Sequence, residues 1–314
     1  MTNTPETLRD EIKRLAAEAG FWSCGIAPVS PFHEFEAALD HRVTHFPEAA
    51  PLYNELRNRV APGAQHPWAR SLVVGVRHYG KYALPPQPVG HIGRLYLCDW
   101  RIEACPDSGM QTRFVEGMRA LGLRVQGAEV PQRWAGARAG LTRFGRNNFA
   151  YANGGPEPAG SWIVIASWFI DAELPADEPT LDSPCPPGCR ACIEACPTGA
   201  LVEPMVMRMD RCIARLSYYT PHPIAPELWK AMGSWVYGCD VCQDVCPLNR
   251  GAWQEREPAP WLEEVAELLT PRALATMSEE TYRRRIHPLF WYISADDVDR
   301  WRRNAQRAVD AMEG

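Results

Sequence analysis

The chain has 314 residues, 46% of them hydrophobic and 23% charged, with a formal net charge of −5. This composition excludes a disordered chain, and the acidic balance offers no general attraction for nucleic acid. The length suits two domains, or one with a large insertion, and can bury a full core without disulfide staples.

Thr4 is suited to cap a helix that begins at Pro5, presents Leu8, Ile12 and Leu15 on one face and stops at Gly20. Phe21 to Ala27 reads as a short strand, and Ser71 to Tyr79 (SLVVGVRHY) as a buried one. Spacing predicts a helix over Gln111 to Leu123, with Phe114, Met118 and Leu121 on one side. A short helix is expected over Arg133 to Leu141 before a turn at Gly145, then a strand over Ser161 to Ile170. This mixture over residues 1–170 predicts an α/β or α+β domain. Five acids and five prolines between Asp171 and Gly188 mark a linker or long surface loop. Helical pattern returns after Arg250. The stretch from Thr281 to Arg307 carries seven Arg and three Asp and reads as a solvated helical cap, with phosphate contact as the alternative.

Near the N-terminus there is neither a secretory pattern nor a twin-arginine pair. The longest nearly apolar run, Trp162 to Ile170, is far too short for a membrane span. The expected location is the cytoplasm, where thiols stay reduced and clustered cysteines mean metal or redox chemistry. No GxGxxG follows a strand, so a Rossmann nucleotide site is unsupported.

Eight of the 11 cysteines fall between Cys185 and Cys246. They form Cys185-x3-Cys189-x2-Cys192-x3-Cys196-Pro197, and Cys212 followed by Cys239-x2-Cys242-x3-Cys246-Pro247. Each motif is close to the bacterial ferredoxin run, in which the fourth cysteine ligates the other cluster. The exchange assigns Cys185, Cys189, Cys192 and Cys246 to one [4Fe-4S] cluster, and Cys212, Cys239, Cys242 and Cys196 to the other. Structural zinc and buried free thiols are the alternatives. The extra residue between Cys185 and Cys189 is a departure that the loop Pro186-Pro187-Gly188 can absorb. Two loaded clusters would take the net charge from −5 to about −9. A plain electron carrier would not need the 170 residues that precede the cysteines, so an enzyme with a second redox centre is expected.

The stretch from Cys189 to Arg250 (CRACIEACPTGALVEP…DRCIARLSYYT…YGCDVCQDVCPLNR) resembles the epoxyqueuosine reductases, which complete queuosine in tRNA. Weaker matches run in order elsewhere: Gly20-Phe21 with Gly25-Ile26-Ala27, Pro62-Gly63, Arg138-Ala139-Gly140-Leu141, Gly145-Arg146-Asn147 and Arg303-Asn304. The resemblance implies an α+β fold. Residues 1–175 would form a nitroreductase-like cobalamin-binding domain, 176–255 a ferredoxin-like two-cluster domain, and 256–314 a helical cap. It also implies electrons passing through the clusters to cobalt, giving Co(I), with a low-potential donor such as ferredoxin or flavodoxin. No membrane partner is implied.

The same resemblance points to site residues. Gln126 occupies the position of the family's catalytic aspartate, and the family's Arg-Asp-Tyr-His run stands here as Cys98-Asp99-Trp100-Arg101. Gln126, Asp99 and Arg101 are the catalytic candidates; Arg94, Tyr96, Cys98, Trp100, Arg146 and Asn147 are the cofactor-binding ones. A glutamine or tryptophan cannot deliver a proton as a carboxylic acid can, and an arginine stays protonated. The expectation is therefore a reductase acting on a small-molecule or cobalamin-linked substrate other than epoxyqueuosine-tRNA. The alternatives are a protein that reduces or dealkylates its bound corrinoid, and epoxyqueuosine reductase proper acting on tRNA. Of the remaining thiols, Cys24 and Cys105 read as packing, and Cys98 as a candidate to approach cobalt.

Overall fold

Helix α1 (Pro5–Ala19) starts where the Thr4 hydroxyl accepts from the Thr7 amide at 3.3 Å. It stops at Gly20, whose φ of 104° lets the Phe21 amide turn back to the Ala16 carbonyl. The structure, a computed structural model, describes residues 4–220 and 223–314. Its first sheet is built from β1 (Ser23–Pro28), β2 (Ser71–His78), β3 (Val125–Gly127) and a later strand, Ile163–Ile170. Two short strands, β4 (Thr142–Phe144) and β5 (Ala150–Ala152), pair with each other, which makes Ile163–Ile170 β6. The order is β1-β2-β6-β3, and every neighbouring pair is antiparallel.

Strand β2 is buried along its whole length because helices cover both faces of the sheet. Val73, Trp168 and Ile170 meet Ile12 and Ala16 of α1, and Phe114 and Met118 of the helix Met110–Ala120. Leu72, Val74, Val76 and Phe169 point the other way, onto Ala135 and Ala139 at the helix Gln132–Arg138. The period-two alternation of a strand thus divides two cores. Strand β6 begins at Ile163, two residues later than the pattern suggests, because Trp162 closes a turn onto the Ala159 carbonyl. The proline-rich segment after β6 is a pinned surface strap. Asp177 accepts from the Ile26 amide at 2.8 Å and pairs with Lys13 at 2.6 Å.

A third core joins residues 79–105 to the C-terminal region through Tyr79, Tyr82, Leu97, Tyr237, Trp261 and Trp301. The last helix, Val298–Glu313, presses Trp301, Ala305 and Ala308 into it. From the same helix, buried Asn304 donates to the Ser217 and Val236 carbonyls. No helix among the described residues is long and apolar enough to cross a membrane.

Arg77 of β2 is 1% exposed and binds Asp107 through Nε, while Lys81 reaches the other oxygen of the same carboxylate at 3.0 Å. Burial alone would raise the Asp107 pKa, but the two cations pull it below its ordinary value. Its stabilising contribution is therefore full above the unfolded carboxylate pKa, about 4, and is lost as pH falls through the lower folded value. Asp107→Asn should cost roughly 3–5 kcal/mol at neutral pH, because Arg77 is left buried without its counter-charge. In urea melts as a function of pH, the gap between wild type and variant should close below about pH 4. A gap independent of pH would contradict this assignment.

Candidate functional site

Short helices carry the cysteines of both motifs. Ala191–Glu194 holds Cys192, and Val241–Asp244 holds Cys242. Cys185, Cys189, Cys192 and Cys246 line one pocket together with Arg146, Asn147 and Tyr151. Burial raises the Cys192 pKa, and the charges of Cys185, Cys246 and Cys189 raise it further. Three donors are aimed at this group. The Arg146 amide reaches Cys185 Sγ at 3.3 Å, the Arg146 guanidinium reaches the Cys189 carbonyl at 2.8 Å, and the Tyr151 hydroxyl lies 3.0 Å from Cys246 Sγ.

Cys196, Cys212, Cys239 and Cys242 make the second group. Burial pushes the thiols of Cys212, Cys239 and Cys242 up, and the charges of the other members of the group add to it. Backbone amides at Ala214 and Arg215 oppose this at Cys212, as does that of Val241 at Cys239. All eight cysteines are free thiols. Four thiols around a common space, each disfavouring its neighbours' ionisation, need a cationic centre to be stable as thiolates. Among the described residues no three His, Cys, Asp or Glu side chains close tightly enough on a point to hold a single metal ion. Two interleaved four-thiol sets, each run ending in Cys-Pro, suit a pair of polynuclear clusters better than zinc.

Beside the second group lies a large cleft, open to solvent, with about 1050 Å3 of empty space. Its walls are helix α2 (His33–His45) with the turns after it, the 130–134 turn, and the segment that leads to Cys212. Phe35, Tyr53, Trp134 and Phe144 supply flat apolar surface, and Arg42, Arg59 and Arg133 supply positive charge. A second hollow of about 610 Å3 shares Arg42, Trp134, Phe144 and Asn148 with it. The wall is locked to the cysteine region: Arg42 donates to the Met205 carbonyl at 2.6 Å and Tyr53 to the Met207 carbonyl at 3.0 Å. Arg133 is close enough to Cys212 for its charge to favour the thiolate. Phe35, Tyr53, Met207 and Met209 of this cleft carry no sequence motif; only the tertiary structure brings them together.

The residues named from sequence fall in three places. Arg146 and Asn147 border the first cysteine group, and Asn147 donates to the Tyr151 hydroxyl and the Cys242 carbonyl. Arg94 holds the second motif instead. Its amide and guanidinium both reach Asp240, whose pKa is pushed up to about 7 by burial against the opposing pull of Arg94. Tyr96 shares a 2.7 Å hydroxyl contact with Tyr218 and packs on Tyr237. Asp99 is taken up by Arg101, which also contacts the Tyr292 hydroxyl and stacks on Trp291 at 4.6 Å. Trp100 is half-buried, against Phe21 and over Arg77. Cys98 is 0% exposed, and burial holds its thiol well above the ordinary range, so it is a packed, protonated thiol. Cys24 and Cys105 are likewise raised by burial, Cys24 to about 12. Gln126 is exposed on β3, opposite Phe169, a short step before the turn that lines the cleft.

Residues 185–249 match the 4Fe-4S double cluster binding domain family. An epoxyqueuosine reductase of Synechococcus sp. (strain CC9605) is 32% identical over 291 residues, covering 83% of this chain and 84% of that protein. One from Cellulophaga algicola is 29% identical over 266 residues, with 82% and 84% covered. Among solved structures, the epoxyqueuosine reductase from Bacillus subtilis, with its catalytic aspartate loop swung out of the active site, aligns with a TM-score of 0.81 at 23% identity. It covers 99% of this chain and 83% of its own. An epoxyqueuosine reductase with an epoxyqueuosine-modified tRNA-Tyr stem loop aligns at 0.77 and 23% identity, with the same coverage. At that identity the structural likeness speaks for the fold.

Proposed function

Because the chain belongs to the epoxyqueuosine reductase family, we propose that this iron–sulfur oxidoreductase removes the epoxide oxygen of epoxyqueuosine in tRNA. Observed similarity along four-fifths of both chains carries the reading, and it weighs more than the substitutions that pointed to another substrate. In this reading Cys185, Cys189, Cys192 and Cys246 hold one [4Fe-4S] cluster, and Cys196, Cys212, Cys239 and Cys242 the other. The cavity and the charge coupling within each group support that division.

Cobalamin fits the large cleft by its chemistry. Trp134, Phe144 and Phe35 would face the macrocycle, and Arg42, Arg59 and Arg133 would meet its phosphate-bearing tail. Cobalamin, when bound, supplies a strongly reducing, nucleophilic metal centre. The chain's residues bind it, shield it and place it beside Cys212. Residues 1–175 serve as its nitroreductase-like domain, 176–255 as the ferredoxin-like domain and 256–314 as the helical cap. A low-potential donor such as ferredoxin or flavodoxin supplies the electrons, and the epoxide oxygen leaves as water after taking up solvent protons.

Gln126 supports a second reading, a related reduction of a different substrate. The amide at the family's aspartate position cannot act as an acid, and the titratable residues lining the cleft are arginines and one tyrosine. Reconstituted anaerobically with iron, sulfide and cobalamin, the protein should convert an epoxyqueuosine-modified stem loop to queuosine. Gln126→Asp should raise that rate by roughly 10²-fold or more. No conversion by loaded wild type, together with conversion by the Gln126→Asp variant, would decide for the second reading. For cofactor content, wild type should bind about eight irons, and Cys246→Ala about four. The spectrum left in that variant should match the one left by Cys185→Ala, not the one left by Cys239→Ala. Pairing within each motif would give the reverse.

A further inference from the structure

Resting on the reading that Cys246 ligates a cluster with Cys185, Cys189 and Cys192, we propose that Tyr151 sets that cluster's reduction potential through a hydrogen bond to Cys246 Sγ. The hydroxyl lies 3.0 Å from the sulfur. Which partner donates follows from Asn147. Its Oδ1 accepts from the Phe149 amide at 3.1 Å, which fixes the side-chain amide so that Nδ2 faces Tyr151 at 2.8 Å and the Cys242 carbonyl at 3.0 Å. An amide nitrogen only donates, so the phenol accepts from Asn147 and directs its own proton elsewhere. Ser161, the other hydroxyl that reaches it, already accepts from Gln243 and Asn249. The remaining acceptor is Cys246 Sγ.

The surroundings make this bond count. Tyr151 is 3% exposed and Asn147 2%, so water does not compete. Gly145 makes the room: a Cβ there would stand 2.2 Å from Tyr151 Cε2. Reduction adds negative charge that spreads onto the ligand thiolates, so a donor to Sγ stabilises the reduced cluster more than the oxidised one. Among the described residues the second group has no side-chain donor of this strength, since the Thr198 hydroxyl is 3.8 Å from Cys196 Sγ. The pocket thus biases one cluster upward and leaves the other to its backbone donors. The loop between Cys185 and Cys189 is exposed at Pro186, Pro187 and Gly188. That loop gives an electron donor an exposed approach to the cluster whose potential is raised.

The test is a redox titration of the reconstituted protein followed by EPR, comparing wild type with Tyr151→Phe, which keeps the ring and removes the donor. One midpoint should move to a more negative value. At the wild-type midpoint, the reduced-to-oxidised ratio of that cluster should fall roughly five- to tenfold. The other midpoint should stay in place. Two unchanged midpoints, or two that move together, would overturn the proposal. If the Phe variant fails to assemble the cluster, site-specific 3-fluorotyrosine at 151, a stronger donor, should shift the same midpoint positively; no shift, or a negative one, again overturns it. Wild type that assembles no [4Fe-4S] clusters at all would remove the underlying reading along with the proposal.

Discussion

Mutual repulsion among buried thiolates is the constraint around which the chain is arranged. Cys192, Cys212, Cys239 and Cys242 all sit where burial and neighbouring sulfurs oppose ionisation. A cationic iron–sulfur core reverses that balance, turning four unfavourable charges into ligands. The protein then has only to trim the remaining negative charge. It does so with local dipoles: amides at Ala214 and Arg215 near Cys212, the Arg146 amide at Cys185 and a phenol at Cys246. Because Cys246 shares a cavity with residues some sixty positions earlier, the cage also fastens the end of the cysteine region to its beginning.

That fastening fixes the cleft. Its floor belongs to the cysteine region and its roof to the N-terminal helices, and the two are tied by backbone acceptors. Arg42 and Tyr53 both donate to carbonyls of the 205–207 segment, and the Met209 amide returns to the Tyr53 hydroxyl at 3.3 Å. Met209 in turn accepts from the Cys212 amide. A displacement of the cluster loop therefore moves the wall of the cleft, because a few hydrogen bonds span the distance. The sheet contributes stiffness at one remove: the helix Gln132–Arg138 packs on β2 and β6, and the turn before it lines the cleft.

Local patterns in the sequence were legible where one element decides the outcome. The Thr4 cap, the Gly20 stop, strand β2 and the two cysteine motifs each follow from residues within a few positions of one another. What depended on distant partners was not. Arg94 and Tyr96 carry no sign that Asp240 and Tyr218 await them more than a hundred residues away. Cys98 reads as available because its neighbours Asp99 and Arg101 are polar, yet those two satisfy each other, Asp99 from a buried position, while the thiol turns into an aromatic core. Tyr151 sits in an ordinary strand pattern, and its role depends on Cys246 being folded against it. The one clue was Gly145, a glycine just before a polar pair, which reads as a turn but also clears space for a ring.

The division of labour in the site follows from what each region can supply. The cysteine region concentrates negative charge and can hold electrons, and the acids of its second motif are tied up: Asp240 is bound by Arg94, and Asp244 is paired with the same guanidinium. The cleft has the opposite character. Arg42, Arg59 and Arg133 make it cationic, and burial pushes Tyr53, its one phenol, away from physiological acidity. A positive, aromatic-walled cleft favours an anionic, flat ligand and stabilises negative charge as it develops, without itself giving up protons. Charge stabilisation is therefore built into the cleft, and the side chains able to exchange a proton stand in the adjoining hollow, where His41 and Glu203 join its lining. Gln126, exposed a few residues before the turn that lines the cleft, adds no acid to it, because a side-chain amide does not give up a proton.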